Sequence, residues 1–399
     1  MNFQSNLLAA YCILDAWLLY AAVALLLRKR SFGDLFKNSA SFLAISGFAM
    51  ALMMLVFNPI YAGKLQWLRI IFPLMILFLS SKAFFLGFVK QSGATWRMRL
   101  RPLATVGWAI LSVLLVLEGI FMFVGKSSIN DTTLASKIWF ARHWQLTEDG
   151  FREAAELSKP DVSRSQLLFI GDSFLAGHGI KNPSDRFSDL IQLRLGSHWQ
   201  VHNHGQNGSN TEMQSDQIDW HVPKPKLTVL CWYVNDIQDA AQSVGLKTGN
   251  TGRKALFPIS LFHGSYVFNF LSNLFPDTQA GENYLNFLQR SFSDEMVMAH
   301  YAHSLEDLQA DCSGNGSKFA VVLFPIMNLV QGSEFALQPM RRFWQGRNVP
   351  CLDLSPVFKP FSVTELTVNS SDSHPSKFAH SLAADAIEVF LNQNGLLTE

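Results

Sequence analysis

LLFIGDSFLAGHG, spanning Leu167 to Gly179, decides the fold: an apolar run of four residues leads directly into Gly171, Asp172 and Ser173 and then a glycine-bounded turn. A run this short and this apolar predicts a strand buried on both faces. Outward from it, QLLFI (166–170), WQVHN (199–203), LTVLCWYV (227–234), FAVVLFPI (319–326) and PCLDL (350–354) repeat the pattern, separated by stretches of helical period. That alternation predicts a doubly wound α/β domain with a parallel sheet, whose sites form where strands end and helices begin. Ser184 is a candidate N-cap ahead of the Phe187, Leu190, Ile191 face, and Gly196 a candidate stop. The insertion at about 237–317 exceeds one crossover helix. It predicts two or three helices, with Phe and Tyr content suited to a lid or wall over a pocket.

The first third reads differently. The 399-residue chain is 49% hydrophobic and 13% aromatic with a mean hydropathy of +0.14, and the excess lies before about Lys126. Four apolar stretches, roughly Leu7 to Leu27, Ser41 to Tyr61, Trp67 to Val89 and Thr105 to Val124, match the ~20 residues that cross a bilayer as helix. The expected organisation is therefore a four-helix transmembrane domain (1–126), a juxtamembrane connector (127–160) lying against the domain that follows, and the α/β domain (161–399). Arg28, Lys29, Arg30 and Lys37 follow the first run, and Lys90, Arg97, Arg99 and Arg101 the third. By the positive-inside rule those loops are cytoplasmic, which places the chain as a multi-pass protein of a cell (inner) membrane with both termini and the α/β domain extracytoplasmic. A cleaved leader would carry its positive charge before the apolar core, and here it follows, so the first run is expected to be retained. Asp15 and Glu118 fall in the outer half of the membrane, where they either share a polar site or hydrogen-bond between helices; Lys82 falls in the inner half. Four helices exceed what an anchor needs, implying a membrane partner protein besides the bilayer.

The net charge of +1 removes the general electrostatic case for nucleic acid. Among four cysteines, Cys12 and Cys231 lie in apolar runs, while Cys312 and Cys351 beside later strands either pair or remain small core residues.

Chemistry is carried by four loops that follow successive strands. Ser173 stands at the mouth of a helix, where its hydroxyl can attack and its N–H can face a developing oxyanion. NHGQNGS (203–209) offers the Gly208 N–H, YVNDI (233–237) the Asn235 amide, and SDSHPS (371–376) an imidazole, His374, with Asp372 able to orient it. Serine at its free pKa is a poor nucleophile, so an imidazole must take its proton and a carboxylate must fix the tautomer. Each segment alone reads equally as a turn, a cap or a solvated loop; their joint placement at one edge of one sheet does not. His202 and His204 form an H-x-H pair that could be a metal pair, but no carboxylate or third histidine stands at local spacing, so they read as ordinary partly buried polar residues. No metal and no cofactor are expected. His178, close in sequence to Ser173, either lines the pocket or, as the simpler expectation, takes a surface loop position.

These four segments resemble blocks I, II, III and V of the SGNH/GDSL hydrolases, over about Thr147 to the C-terminus. The resemblance implies Ser173 as nucleophile, His374 as base, Asp372 as its partner, and an oxyanion hole of the Ser173 N–H, the Gly208 N–H and the Asn235 amide. Two departures stand out: Tyr233 replaces the glycine usual in the third block, implying a bulkier wall, and Asp372 stands two rather than three residues before the histidine, as in a bacterial branch reading D-x-H-P. The activity implied is serine-dependent hydrolysis of acyl, above all O-acetyl, esters on an extracytoplasmic substrate such as a cell-surface glycan. The alternatives are an acyltransferase using the same acyl-serine and a non-catalytic envelope scaffold; lipid and thioester substrates stay open, and the intact Ser, Gly, Asn and His set argues against the scaffold.

Overall fold

The computed structural model describes residues 133–153, 161–220, 223–249, 263–275 and 278–398, with scattered helical positions between 106 and 121. The chain divides into two compact units, Met1–Phe123 and Val124–Glu399. In the second, helix α1 (Leu134–His143) begins at Thr133, whose hydroxyl accepts from the Ser136 N–H while Ser136 returns the bond, a reciprocal cap. Then follow β1 (Ser165–Gly171), the single-turn α2 (Ser173–Ala176), α3 (Phe187–Leu195), β2 (Trp199–Gly205), α4 (Thr211–Asp216), β3 (Leu227–Trp232) and α5 (Ile237–Ser243). The remainder comprises α6 (Tyr266–Asn273), α7 (Thr278–Ser293), α8 (Glu295–Gly314), β4 (Lys318–Leu323), α9 (Glu334–Gln345), β5 (Cys351–Asp353), α10 (Ser355–Phe358), α11 (Val363–Leu366), β6 (Thr367–Asn369), β7 (Asp372–Pro375) and α12 (Lys377–Gln393).

The five-stranded sheet has the order β2-β1-β3-β4-β5, and every neighbouring pair is parallel. Period-two alternation explains why its strands read as unbroken apolar runs. Leu167 and Phe169 enter one core with Val229, Ala320 and Val322, covered by Phe187 and Ile191 of α3 and Ala383 and Ile387 of α12. Leu168 and Ile170 enter the other with Leu230, Val321 and Leu323, covered by Ile237, Phe287, Leu305 and Leu337 of α5, α7, α8 and α9. Each fully buried aliphatic side chain contributes roughly 2 kcal/mol, so both faces must be covered. The order 2-1-3-4-5 reverses direction at β1 and β3, and a crevice opens at their carboxyl ends.

The four-helix transmembrane part of the expected fold is corrected: among the described residues no helix is long and apolar enough to cross a membrane. The spans expected within 1–126 lie almost wholly outside the described residues, as do Asp15, Lys82 and Cys12. Smaller corrections are local. Ser184 does not cap a helix but lies in a 3-10 turn, Pro183–Asp185, and α3 starts at Phe187 after Arg186. The insertion contains four described helices, and α7 and α8 form a layer on the sheet rather than a lid. Cys312 and Cys351 are free thiols, as is Cys231.

Candidate active site

Gly171 ends β1 where a Cβ would stand 2.8 Å from the Cys231 carbonyl oxygen, so only glycine lets β1 and β3 run this close before the turn. The turn delivers Asp172 and Ser173. Asp172 caps α2 by accepting the Phe174 N–H at 2.9 Å through Oδ1, while its Oδ2 accepts the Asn235 amide at 3.1 Å and faces the Ser173 hydroxyl at 3.4 Å. Burial raises the Asp172 pKa, and the Phe174 N–H opposes the shift by favouring the carboxylate. Neighbouring Asp236 is pushed well above the carboxylate range, first by burial and then by the Asp172 charge.

The imidazole comes from 201 residues away. β6 and β7 form an antiparallel hairpin whose turn is fixed by the Ser371 N–H and hydroxyl, both donating to Asn369 Oδ1 at 2.9 and 2.7 Å. It is seated against Gly179, where φ is +84° and a Cβ would stand 2.4 Å from Val368, two reasons for glycine at one position. The expected loop at 371–376 is thus largely strand. The hairpin brings His374 Nε2 to 2.9 Å from Ser173 Oγ and His374 Nδ1 to 2.5 Å from Asp372 Oδ1. Asp372 is fully buried, and Ser173 is 9% exposed. A serine hydroxyl, an imidazole and a buried carboxylate therefore stand in line, the geometry in which a proton leaves the hydroxyl as it attacks.

The two other expected donors flank the serine. Gly208 sits in a turn pinned to the end of β1: the Gln206 N–H and the Ser209 hydroxyl both donate to the Gly171 carbonyl at 3.1 Å. Its φ is +74°, and a Cβ there would meet nothing within 4 Å, so backbone conformation rather than crowding demands glycine. Asn235, in the 3-10 turn Val234–Asp236, spends one amide N–H on Asp172, and the other is the one an oxyanion requires. Tyr233 stacks on Phe174 with ring centroids 3.8 Å apart, filling the space a glycine would leave.

His178 departs from the sequence expectation. It is 2% exposed, stacked on His374 at 4.2 Å, with Nε2 3.6 Å from Asp372 Oδ2. The Asn207 amide lies 3.2 Å from its Nδ1, which leaves Nε2 carrying the proton toward Asp372. Trp139, Phe140 and Trp144 wall its ring. Arg152 braces the same loop, donating to the carbonyls of Ala176, Gly177, Ile180 and Lys181 and to that of His143. The role of Arg152 was not visible beforehand, whereas a pocket-lining His178 was the second of two readings. Arg152 lies among the polar residues of the connector, and the signal for His178, its nearness in sequence to Ser173, is weak.

No family model matches the chain, and no curated protein matches it. Solved structures similar to it include a G-D-S-L family putative lipolytic protein from Desulfitobacterium hafniense DCB-2, at 14% identity and a TM-score of 0.36, covering 57% of this chain and 100% of that one. A catalytic mutant of the acetylxylan esterase Axe2 from Geobacillus stearothermophilus is similar at 13% identity and a TM-score of 0.37, covering 58% and 96%. The structure of TesA is similar at 14% identity and a TM-score of 0.38, covering 57% and 99%. In the order and placement of Ser173, Gly208, Asn235 and His374 at the ends of its strands, the chain resembles the SGNH/GDSL hydrolases.

Proposed function

We propose that this protein is an SGNH/GDSL-type serine esterase that hydrolyses acyl esters through an acyl-Ser173 intermediate. One observation carries the proposal: the unbroken relay from Ser173 Oγ to His374 Nε2 at 2.9 Å and from His374 Nδ1 to Asp372 at 2.5 Å. In the reaction, His374 Nε2 takes the hydroxyl proton as Ser173 Oγ bonds to the ester carbonyl carbon. The resulting oxyanion is held by the Ser173 and Gly208 N–H groups and the Asn235 amide. His374 returns the proton to the departing alkoxide, and the alcohol leaves. It then deprotonates a water that attacks the acyl-serine, releasing the acid and restoring the hydroxyl.

A sugar-bound acyl group is the substrate class we infer. A polar cavity of about 270 Å³ begins one residue beyond the Ser209 and Asn235 turns, lined by Asn210, Thr211, Asp236, Asp239, Tyr301 and Ser304 among others and by no residue of the triad. Such a lining of hydroxyl, amide and carboxyl groups suits a hydroxyl-rich ligand better than an acyl chain. The test offers the full chain p-nitrophenyl acetate and acetylated oligosaccharides, with and without a free sugar acceptor, beside Ser173→Ala. Release of acetate that disappears in Ser173→Ala is the expected result. Acetate release undiminished in Ser173→Ala overturns the nucleophile, and transfer of acetyl to the acceptor in place of release overturns hydrolysis in favour of an acyltransferase.

A further inference from the structure

A second constellation of histidine and carboxylate lies on β2, at the edge of the sheet. His202 and His204, two residues apart on one strand, share a face. The fold supplies the carboxylate that local sequence lacks: Glu153, 50 residues before Asn203, accepts the Asn203 N–H at 2.6 Å through Oε1. One ligand atom from each of Glu153, His202 and His204 lies within 4.8 Å of the others, and the Glu153 side chain is 6% exposed.

The hydrogen bonds fix which ring nitrogens carry protons. Gln166 Nε2 donates to the carbonyls of Asp161 and Arg164, both at 2.8 Å, so its Oε1 is the atom 2.7 Å from His202 Nε2. An amide oxygen only accepts, so His202 holds its proton on Nε2 and turns a bare Nδ1 lone pair toward Glu153 Oε1, 3.6 Å away. His204 Nδ1 lies 3.3 Å from the Gln217 carbonyl, again an acceptor, which leaves Nε2 bare; its ring plane is set by Phe151 stacked at 3.9 Å and 6°. Glu153 Oε1 accepts the Asn203 N–H, and the two imidazoles each keep one nitrogen free of the oxygen that anchors the other. Each imidazole has its second nitrogen anchored on an oxygen, as metal-ligating histidines do.

We propose that Glu153, His202 and His204 form a binding site for a divalent transition-metal ion, zinc above all, which fastens the connector at 151–153 to β2. Two imidazoles and one carboxylate are ligands zinc accepts at about 2.0–2.2 Å, with a fourth position left for water. The test titrates ZnCl2 into the full chain, stripped of metal, in competition with a chromophoric chelator. One equivalent is expected to bind, with affinity lowered at least 100-fold in a His202→Gln, His204→Gln double variant and about 10- to 100-fold in Gln166→Leu, which frees the His202 ring. His374→Ala, which removes the other histidine and carboxylate cluster, is expected to keep the ion. Absence of saturable binding, or binding retained in the double variant and lost in His374→Ala, overturns the proposal. Should the double variant fail to fold, crystals of the unaltered protein grown with zinc decide by anomalous scattering at the zinc edge: a peak amid Glu153, His202 and His204 supports the site, and its absence there overturns it.

Discussion

Among the described residues, two clusters hold a pair of histidines against a carboxylate, and they differ in what the second ring nitrogen faces. At the crevice, His374 gives Nδ1 to the buried Asp372 and turns Nε2 toward a hydroxyl, Ser173, that has a proton to yield. At the sheet edge, His202 gives Nε2 to the Gln166 amide oxygen and turns Nδ1 toward Glu153, which has none. In the roles proposed for them, the same residue types serve proton transfer in one place and cation capture in the other, and the hydrogen bond on the far side of the ring distinguishes the two.

Exchanges of single residues can break that contrast. The largest effect is expected from Ser173→Ala or His374→Ala, each lowering kcat for ester hydrolysis by about 10⁵- to 10⁶-fold, whereas His202→Gln lowers it less than about tenfold; steady-state rates with p-nitrophenyl acetate measure both. Asp372→Asn keeps the shape but unsettles the tautomer of His374, and a loss of about 10⁴ in kcat is expected. Retention of near-normal kcat in Asp372→Asn would mean that backbone alone orients the ring. Asn235→Ala removes one oxyanion donor for a loss of about 10² to 10³ in kcat, with an unchanged circular dichroism spectrum. His178→Phe keeps the stack on His374 but loses the 3.6 Å polar contact with Asp372, and a fall in kcat of up to about tenfold is expected.

A third histidine gives the smallest and most specific effect. His380 is fully buried, its Nδ1 accepts the Phe187 N–H at 3.2 Å, and its Nε2 has no partner among the described residues. Burial, with Arg186 and Arg152 nearby, brings its pKa from 6.5 to about 3. Between those values the unfolded chain binds the proton and the folded one does not, so the stability is present in full above pH 6.5 and is lost as pH falls toward 3. The slope is at most about 1.4 kcal/mol per pH unit. Chemical denaturation at successive pH values should show this slope reduced in His380→Leu, which is less stable above pH 6.5 because the Phe187 N–H loses its acceptor.

Much of this was legible in the sequence where one residue's neighbours along the chain are also its neighbours in space. β1, β3 and β4 announced themselves because burial on both faces leaves no polar alternation to confuse, and the loops bearing Ser173, Gly208 and Asn235 follow directly from strand ends. What stayed hidden depends on distant segments. Glu153 meets His202 only through the path of the connector, and His178 is buried by Trp139, Phe140 and Trp144, none of which a local reading of the GHG turn includes. The Ser184 cap failed because Pro183 favours a 3-10 turn at that point, delaying the helix by a few residues. Hydropathy alone proposed four membrane spans, and no described helix has the length and apolarity they require.

The five carbonyl contacts of Arg152 bear on where the catalytic unit truly starts. A protein shortened to begin at residue 161 would keep every strand and every triad residue, yet leave those oxygens facing an empty slot and strip the aromatic backing from His178. Anyone trimming this chain for crystals or assays should cut ahead of Thr133, because the segment that looks like a tether is the far wall of the candidate site.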